Sequence, residues 1–303
     1  MLQKINDEIL TYFPEKIRDK FETCNDEIWD KAQEIRIRID KPIIVSSYDC
    51  EEILGYFATV EDILRLLENF SDNSIYAIQN ELNSGFITIR GGHRIGIAGT
   101  SIFENGNIKN IKYISSLNIR IAREVKGCSL KILNLIYDDD FENTIILSPP
   151  GCGKTTLLRD LIRILSDGNE KIKHYTIGLV DERSEIAATY RGVSQNDIGI
   201  RTDVMNSCVK CIGIRMMVRS MAPQIIATDE IGGRDDESAI FEAMCLGVKL
   251  LLTAHGSSLY DLPQPFLDNK IFRYVVLLSK NGPPGSLKNI YKLEDDKYVD
   301  IYS

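Results

Sequence analysis

Nine consecutive residues, Ser148-Pro149-Pro150-Gly151-Cys152-Gly153-Lys154-Thr155-Thr156, restrict what this chain can fold into more than any other feature. The apolar Thr144-Ile145-Ile146-Leu147 comes just before them and reads as a short buried strand. Leu157, Leu158, Leu161, Ile162 and Leu165 follow at helical spacing, and Gly168 supplies a stop. A glycine-rich turn between a strand and a helix gathers backbone N–H groups and a helix N-terminus around one point, which suits an anion. The pattern predicts a phosphate-binding loop formed by Pro150, Gly151, Cys152, Gly153, Lys154, Thr155 and Thr156. In such a loop Lys154 reaches the β- and γ-phosphates of ATP and Thr155 ligates Mg²⁺. Ser148 stands where the first glycine usually stands; Gly151 and Gly153, nearest the phosphates, are in place.

A chain of 303 residues has room for one large domain or two ordinary ones. Its 44% hydrophobic and 26% charged residues fit a soluble globular protein. The net charge of −8 argues against a general nucleic-acid binder, which would be basic. The opening Met1–Glu8 lacks the apolar core of a signal peptide, and no run of 18 apolar residues occurs, so no transmembrane segment is expected. Seven scattered cysteines suit reduced thiols in a cytoplasmic protein. Cys208-Val209-Lys210-Cys211 lacks the second pair that a zinc site needs and reads as two incidental cysteines.

The first part of the chain mixes helical and strand signals. Glu34-Ile35-Arg36-Ile37-Arg38-Ile39 alternates strictly, as a half-buried strand does. Thr59 and Asp62 have the spacing of a capping box at the head of an amphipathic helix. Residues 86–90 and 94–98 flank Gly91-Gly92-His93 as a hairpin, and 117–123 alternate again. From about residue 140 strands alternate with helices, as in a parallel α/β sheet, with strands expected at 144–147, 175–180, 224–228 and 249–253. Two more strands, 272–279 and 288–293, close the chain. Asp138-Asp139-Asp140 reads as a solvated connector. The expected domains are 1–135, a smaller α+β domain, and 136–303, an α/β domain that carries the phosphate-binding loop.

Open parallel sheets hold ligands at the C-terminal ends of their strands, and polar residues gather there. Strand 224–228 ends in Asp229-Glu230, 75 residues after Lys154. Asp229 is expected to hold Mg²⁺, and Glu230 to polarise the attacking water. Strand 175–180 ends in Asp181-Glu182-Arg183-Ser184-Glu185, where Glu182 could orient water or metal. Strand 249–253 ends near His255, placed to sense the γ-phosphate, whereas His93 and His174 read as ordinary histidines. Transition-state charge in P-loop enzymes is often met by an arginine from outside the loop. Arg120 and Arg123, with Arg90 and Arg94 on the hairpin, are the candidates.

The order of P-loop, acidic box, Asp-Glu strand end and histidine box resembles the secretion and pilus-type ATPases, the motors of type II and type IV secretion systems. Residues 114–124, 178–186 and 219–233 and the hairpin 91–99 are similar, within that superfamily, to its sporulation stage III AA family. The resemblance implies an N-terminal α+β domain followed by a RecA-like ATPase domain, assembled as a homo-oligomeric ring, a hexamer. It also implies a cytoplasmic position on the mother-cell side of the forespore membrane, reached through integral membrane channel proteins of stage III. Two other classes fit a P-loop: a nucleic-acid-dependent ATPase, and an ATP-binding switch or scaffold with little turnover. The acidic balance and the lack of interleaved basic and aromatic residues oppose the first. An intact Glu230 beside Asp229 opposes the second.

Overall fold

A computed structural model describes residues 9–47, 49–71, 85–104 and 107–302, so the opening Met1–Glu8 lies outside the described residues. The chain divides into two compact units, Met1–Arg123 and Glu124–Ser303.

In the first unit, α1 (Glu15–Phe21) and α2 (Asp26–Asp30) precede β1 (Glu34–Arg38), β2 (Pro42–Ser46) and β3 (Glu51–Phe57). Helix α3 (Val60–Phe70) leads to β4 (Phe86–Thr88), β5 (Arg94–Glu104) and β6 (Asn107–Arg120). The described strands pair antiparallel in the order β3-β2-β1-β6-β5-β4. Alternation decides which face is buried. Ile35 and Ile37 enter a core with Ile43, Val45, Ile95, Leu117 and Ile119, covered by Phe13, Phe21, Trp29, Ile63 and Phe70. The intervening Arg36 and Arg38 stay partly exposed. The capping box forms as expected: Asp62 N–H donates to Thr59 Oγ1, and Thr59 N–H donates to Asp62 Oδ2. The hairpin also forms, but β4 stops at Thr88, so Arg90 lies in the turn.

In the second unit, α4 (Leu130–Ile136), β7 (Thr144–Ser148), α5 (Lys154–Asp167), β8 (Ile177–Asp181) and β9 (Thr202–Asn206) are followed by α6 (Lys210–Met221) and β10 (Ile225–Thr228). Then come α7 (Arg234–Cys245), β11 (Lys249–His255), α8 (Gln264–Asp268) and β12 (Tyr274–Leu278), with β13 (Leu287–Glu294) and β14 (Lys297–Asp300) last. The sheet order is β14-β13-β12-β7-β11-β10-β8-β9. It is parallel from β12 to β9 and antiparallel through β13 and β14. Every residue of β7, β8, β10 and β12 is buried, because helices cover both faces. Ile146, Leu179 and Leu251 pack with Leu157, Leu161 and Leu165 of α5 on one side. Ile145, Leu147 and Leu252 pack with Ile214 of α6 and Ile240 of α7 on the other.

Two details differ from the sequence reading. Helix α4 packs with the second unit, so the units meet at 123/124 rather than 135/136. Ile132, Leu133 and Ile136 join the α5 core, and Ser129 donates through both N–H and Oγ to Asp160 on α5. Asp140 is no solvated connector, since it accepts from Lys249 Nζ at 2.8 Å and from the Tyr175 hydroxyl.

Candidate functional site: the C-terminal edge of the parallel sheet

Between β7 and α5 the chain turns through Gly151 at φ +78° and Gly153 at φ +85°, a region that favours glycine. A Cβ on Gly153 would also sit 2.9 Å from Gly285 N, and Gly285 N–H donates to Cys152 O at 2.8 Å. The connection between β12 and β13 therefore braces the loop. Residues 149–156, with Glu185, Glu230 and Pro284, enclose a cleft of about 400 Å³. A larger groove of about 590 Å³ lies between α6 and α7, but its charged lining is the paired Arg215 and Glu242 with Arg219, so the convergent ionisable groups are in the smaller cleft.

Lys154 is 6% exposed, and burial pushes its ammonium below the usual lysine range. Its Nζ donates to Ser148 O at 3.1 Å and lies 3.1 Å from His255 Nδ1. An ammonium only donates, so Nδ1 accepts and the ring proton sits on Nε2. That nitrogen is 3.2 Å from Glu230 Oε1. Glu230 Oε2 accepts from Arg183 Nη1 at 2.9 Å. The backbone of Glu230 is left-handed, at φ +44°, with its N–H held by Thr253 Oγ1 at 2.9 Å. A strained residue at a strand end is a common way to aim a functional side chain.

Asp229 is 2% exposed, and desolvation raises its carboxyl from 3.8 to about 6. Nearby Lys210 opposes that rise, and the neighbouring acids Asp181, Glu230 and Glu185 reinforce it. Its Oδ1 is buried without a hydrogen-bond partner. A desolvated carboxylate oxygen left open beside a phosphate-type loop fits a hard divalent cation such as Mg²⁺.

The acidic box divides its labour. Asp181 is fully buried and accepts N–H bonds from Glu185, Ile186 and Ala187, so it shapes the loop, and burial raises its carboxyl above the usual range. Arg159 on α5 fastens the same loop through the carbonyls of Glu185 and Ile186. Glu182 pairs with buried Lys210, while Glu185 lines the cleft. Of the arginines in the first unit, Arg120 is exposed at the end of β6. Arg123 donates to the carbonyls of Asp30 and Ala32 and so ties its own unit together. The sheet edge thus gathers residues 150–156, Asp229, Glu230 and His255, with Glu182 turned toward Lys210. Arg120 and Arg123 belong to the other unit.

Sequence reasoning passed over Arg183, Lys210 and Pro284. Lys210 carries a signal of its own, a cation in the first helical turn, where the dipole disfavours it. Arg183, inside an acidic run, carries none.

An α/β unit with helices on both faces of a mostly parallel sheet and a P-loop after β7, preceded in sequence by a smaller α+β unit, has the fold of the type II and type IV secretion ATPases. The chain is similar to the solved ATPase DotB of Legionella pneumophila, with a TM-score of 0.58 and 16% identity over 95% of this chain and 80% of that one. It is similar also to the pilus retraction motor PilT solved with ADP, with a TM-score of 0.58 and 16% identity over 87% of this chain and 76% of that one. The chain belongs to the family described as sporulation stage III, protein AA, whose model matches residues 3–297. Stage III sporulation protein AA of Bacillus subtilis (strain 168) is 40% identical to it over 289 residues, covering 94% of each chain.

Proposed function

We propose that this chain is a Mg²⁺-dependent ATPase of the secretion-motor type that acts in sporulation. The observation that carries the reading is the open, buried Oδ1 of Asp229 in the site that also holds buried Lys154. Lys154 and the N–H groups of residues 151–156 bind the phosphates. Thr155 and Asp229 hold Mg²⁺, which supplies charge neutralisation on the phosphates. Glu230 accepts the proton of a water whose oxygen bonds to the γ-phosphorus, while the bond from phosphorus to the ADP oxygen breaks. His255 fixes Glu230 and is within reach of Lys154, and Glu182 keeps Lys210 beside the carboxylates.

The family supports a homo-oligomeric ring, hexameric by analogy with secretion motors, in which an arginine of one copy completes a neighbour's site. Arg120 suits that role better than Arg123, whose guanidinium is engaged with Asp30 and Ala32. Among the described residues no helix is long and apolar enough to cross a membrane. Work at the forespore membrane, from the mother-cell cytoplasm, then runs through docking onto integral membrane channel proteins of stage III, with no direct nucleic-acid role.

The test is a pair of substitutions read by ATP binding and by phosphate release. Lys154→Ala should lose binding by on the order of 10²-fold or more, as charge-assisted bonds to phosphate go. Glu230→Gln should keep binding and lose on the order of 10²–10⁴ in turnover. Unchanged ATP affinity in Lys154→Ala would overturn the reading.

A further inference from the structure

Four side chains at the cleft form one hydrogen-bonded line, Lys154–His255–Glu230–Arg183. The line follows the spatial order of the strands β7-β11-β10-β8: Lys154 opens the helix after β7, His255 ends β11, and Glu230 and Arg183 lie two residues past β10 and β8. Three members have roles in the reaction above. Arg183 does not. Its side chain is 59% exposed, and an ion pair so open to water adds little to stability. The loop that carries it is nevertheless firmly built. Asp181 holds the three amides 185–187, Ser184 turns through φ +54°, and Ser207 N–H donates to Asp181 O at 2.9 Å.

We propose that Arg183 is the positioning residue of Glu230, holding Oε2 so that Oε1, shared with His255, keeps a lone pair aimed at the attacking water. A carboxylate oxygen has two lone pairs, and His255 Nε2–H uses only one of them at Oε1. A glutamate gripped at one oxygen alone still turns about its χ angles. Gripped at both, from the two strands that flank its own, it has one orientation. The inference rests on the reading of Glu230 as the base. Arg183 transfers no proton and touches no phosphate.

The experiment compares Arg183→Gln and Arg183→Lys with the full-length wild type. Arg183→Gln should lower kcat by on the order of 10- to 100-fold, the effect of misplacing a reacting group by about an ångström. ATP affinity should stay within about twofold, and Arg183→Lys should recover part of the rate, since a point charge replaces a planar fork. In a Glu230→Gln background the same substitution should change kcat by less than about twofold, because residues acting as a unit are not additive. A matching fall in ATP affinity would overturn the inference by placing Arg183 on the phosphates, and full additivity would overturn it by separating Arg183 from Glu230. If the wild type hydrolyses no ATP, the reading of the site fails and Arg183 is judged on the free protein. Solvent exchange of the His255 Nε2 proton, followed by NMR, should then quicken several-fold in Arg183→Gln, and an unchanged rate would overturn the inference.

Discussion

In the first unit, buried polar groups turn back onto the backbone. His93, 1% exposed, accepts Ala122 N–H at its Nδ1, Asp62 closes the cap of α3, and Arg123 binds two carbonyls. In the second unit they gather at one sheet edge: Lys154 and Asp229 are as deeply buried, and Asp229 keeps Oδ1 open there, whereas the open Nε2 of His93 lies in the β4–β5 hairpin. The sheets account for the contrast. An antiparallel sheet with one covered face spends its polar groups on joining strands to helices. A parallel sheet covered on both faces leaves only its strand ends for polar side chains, and all its C-terminal ends lie on one edge. Burial therefore does not mark a functional residue here, and neither does an unmet valence, which His93 Nε2 has too; a place on the C-terminal edge of the parallel sheet does.

The largest test of that division is Arg120→Ala. If the first unit contributes one charge to a neighbour's site, turnover should fall by about 10³-fold with ATP binding intact. Wild-type turnover would confine the chemistry to the second unit.

Next comes Asp229→Asn. Holding this carboxyl at about 6 instead of 3.8 means that its ionised form costs the folded unit about 3 kcal/mol at neutral pH. Denaturation at pH 7 should show the variant more stable by about 1–3 kcal/mol, and Mg²⁺ should no longer stabilise it.

Acid should separate the units by sign. Burial lowers the His93 imidazole from 6.5 to about 4, so below pH 6.5 the unfolded chain takes up a proton that the folded unit refuses. Stability of the first unit should fall by about 3 kcal/mol as pH drops through that window. Asp229 acts the other way: between about pH 4 and 6 the folded second unit keeps a proton that the unfolded chain has released, so its term weakens the fold as pH rises. Trp29, the single tryptophan, lies in the first unit and reports on it alone by fluorescence. An acid-resistant Trp29 transition would remove His93 from the argument. The smallest effect is Thr59→Ala, which should cost about 1 kcal/mol, seen in the Trp29 transition and not in ATP affinity.

Much of this was legible from residue pattern. The strands that carry the cleft are apolar runs ending in polar residues, and β7, β8, β10 and β11 fall where the runs do. Edge strands were not legible: Thr202-Asp203-Val204-Met205-Asn206 and Lys297-Tyr298-Val299-Asp300 are half polar, and pairing with a neighbour, not burial, makes them strands. Within the acidic box the pattern names the loop but not which carboxylate faces the cleft. That choice turns on the left-handed Ser184 and on Lys210, which pairs with Glu182 from 28 residues away.

Strand β7 has a consequence for how the protein is made. Its neighbours in the sheet are β11 and β12, so Thr144 waits for Leu251, 107 residues later, before the first edge of its strand is paired. At about 5–20 residues per second, a ribosome takes roughly 5–20 s to deliver that partner. The brace from Gly285 to Cys152 arrives later still. The nascent chain thus exposes an unpaired apolar strand through most of the synthesis of its second half, whereas β1 to β6 can pair as they emerge. Premature termination upstream of β12 should leave a folded first unit joined to an aggregation-prone remnant.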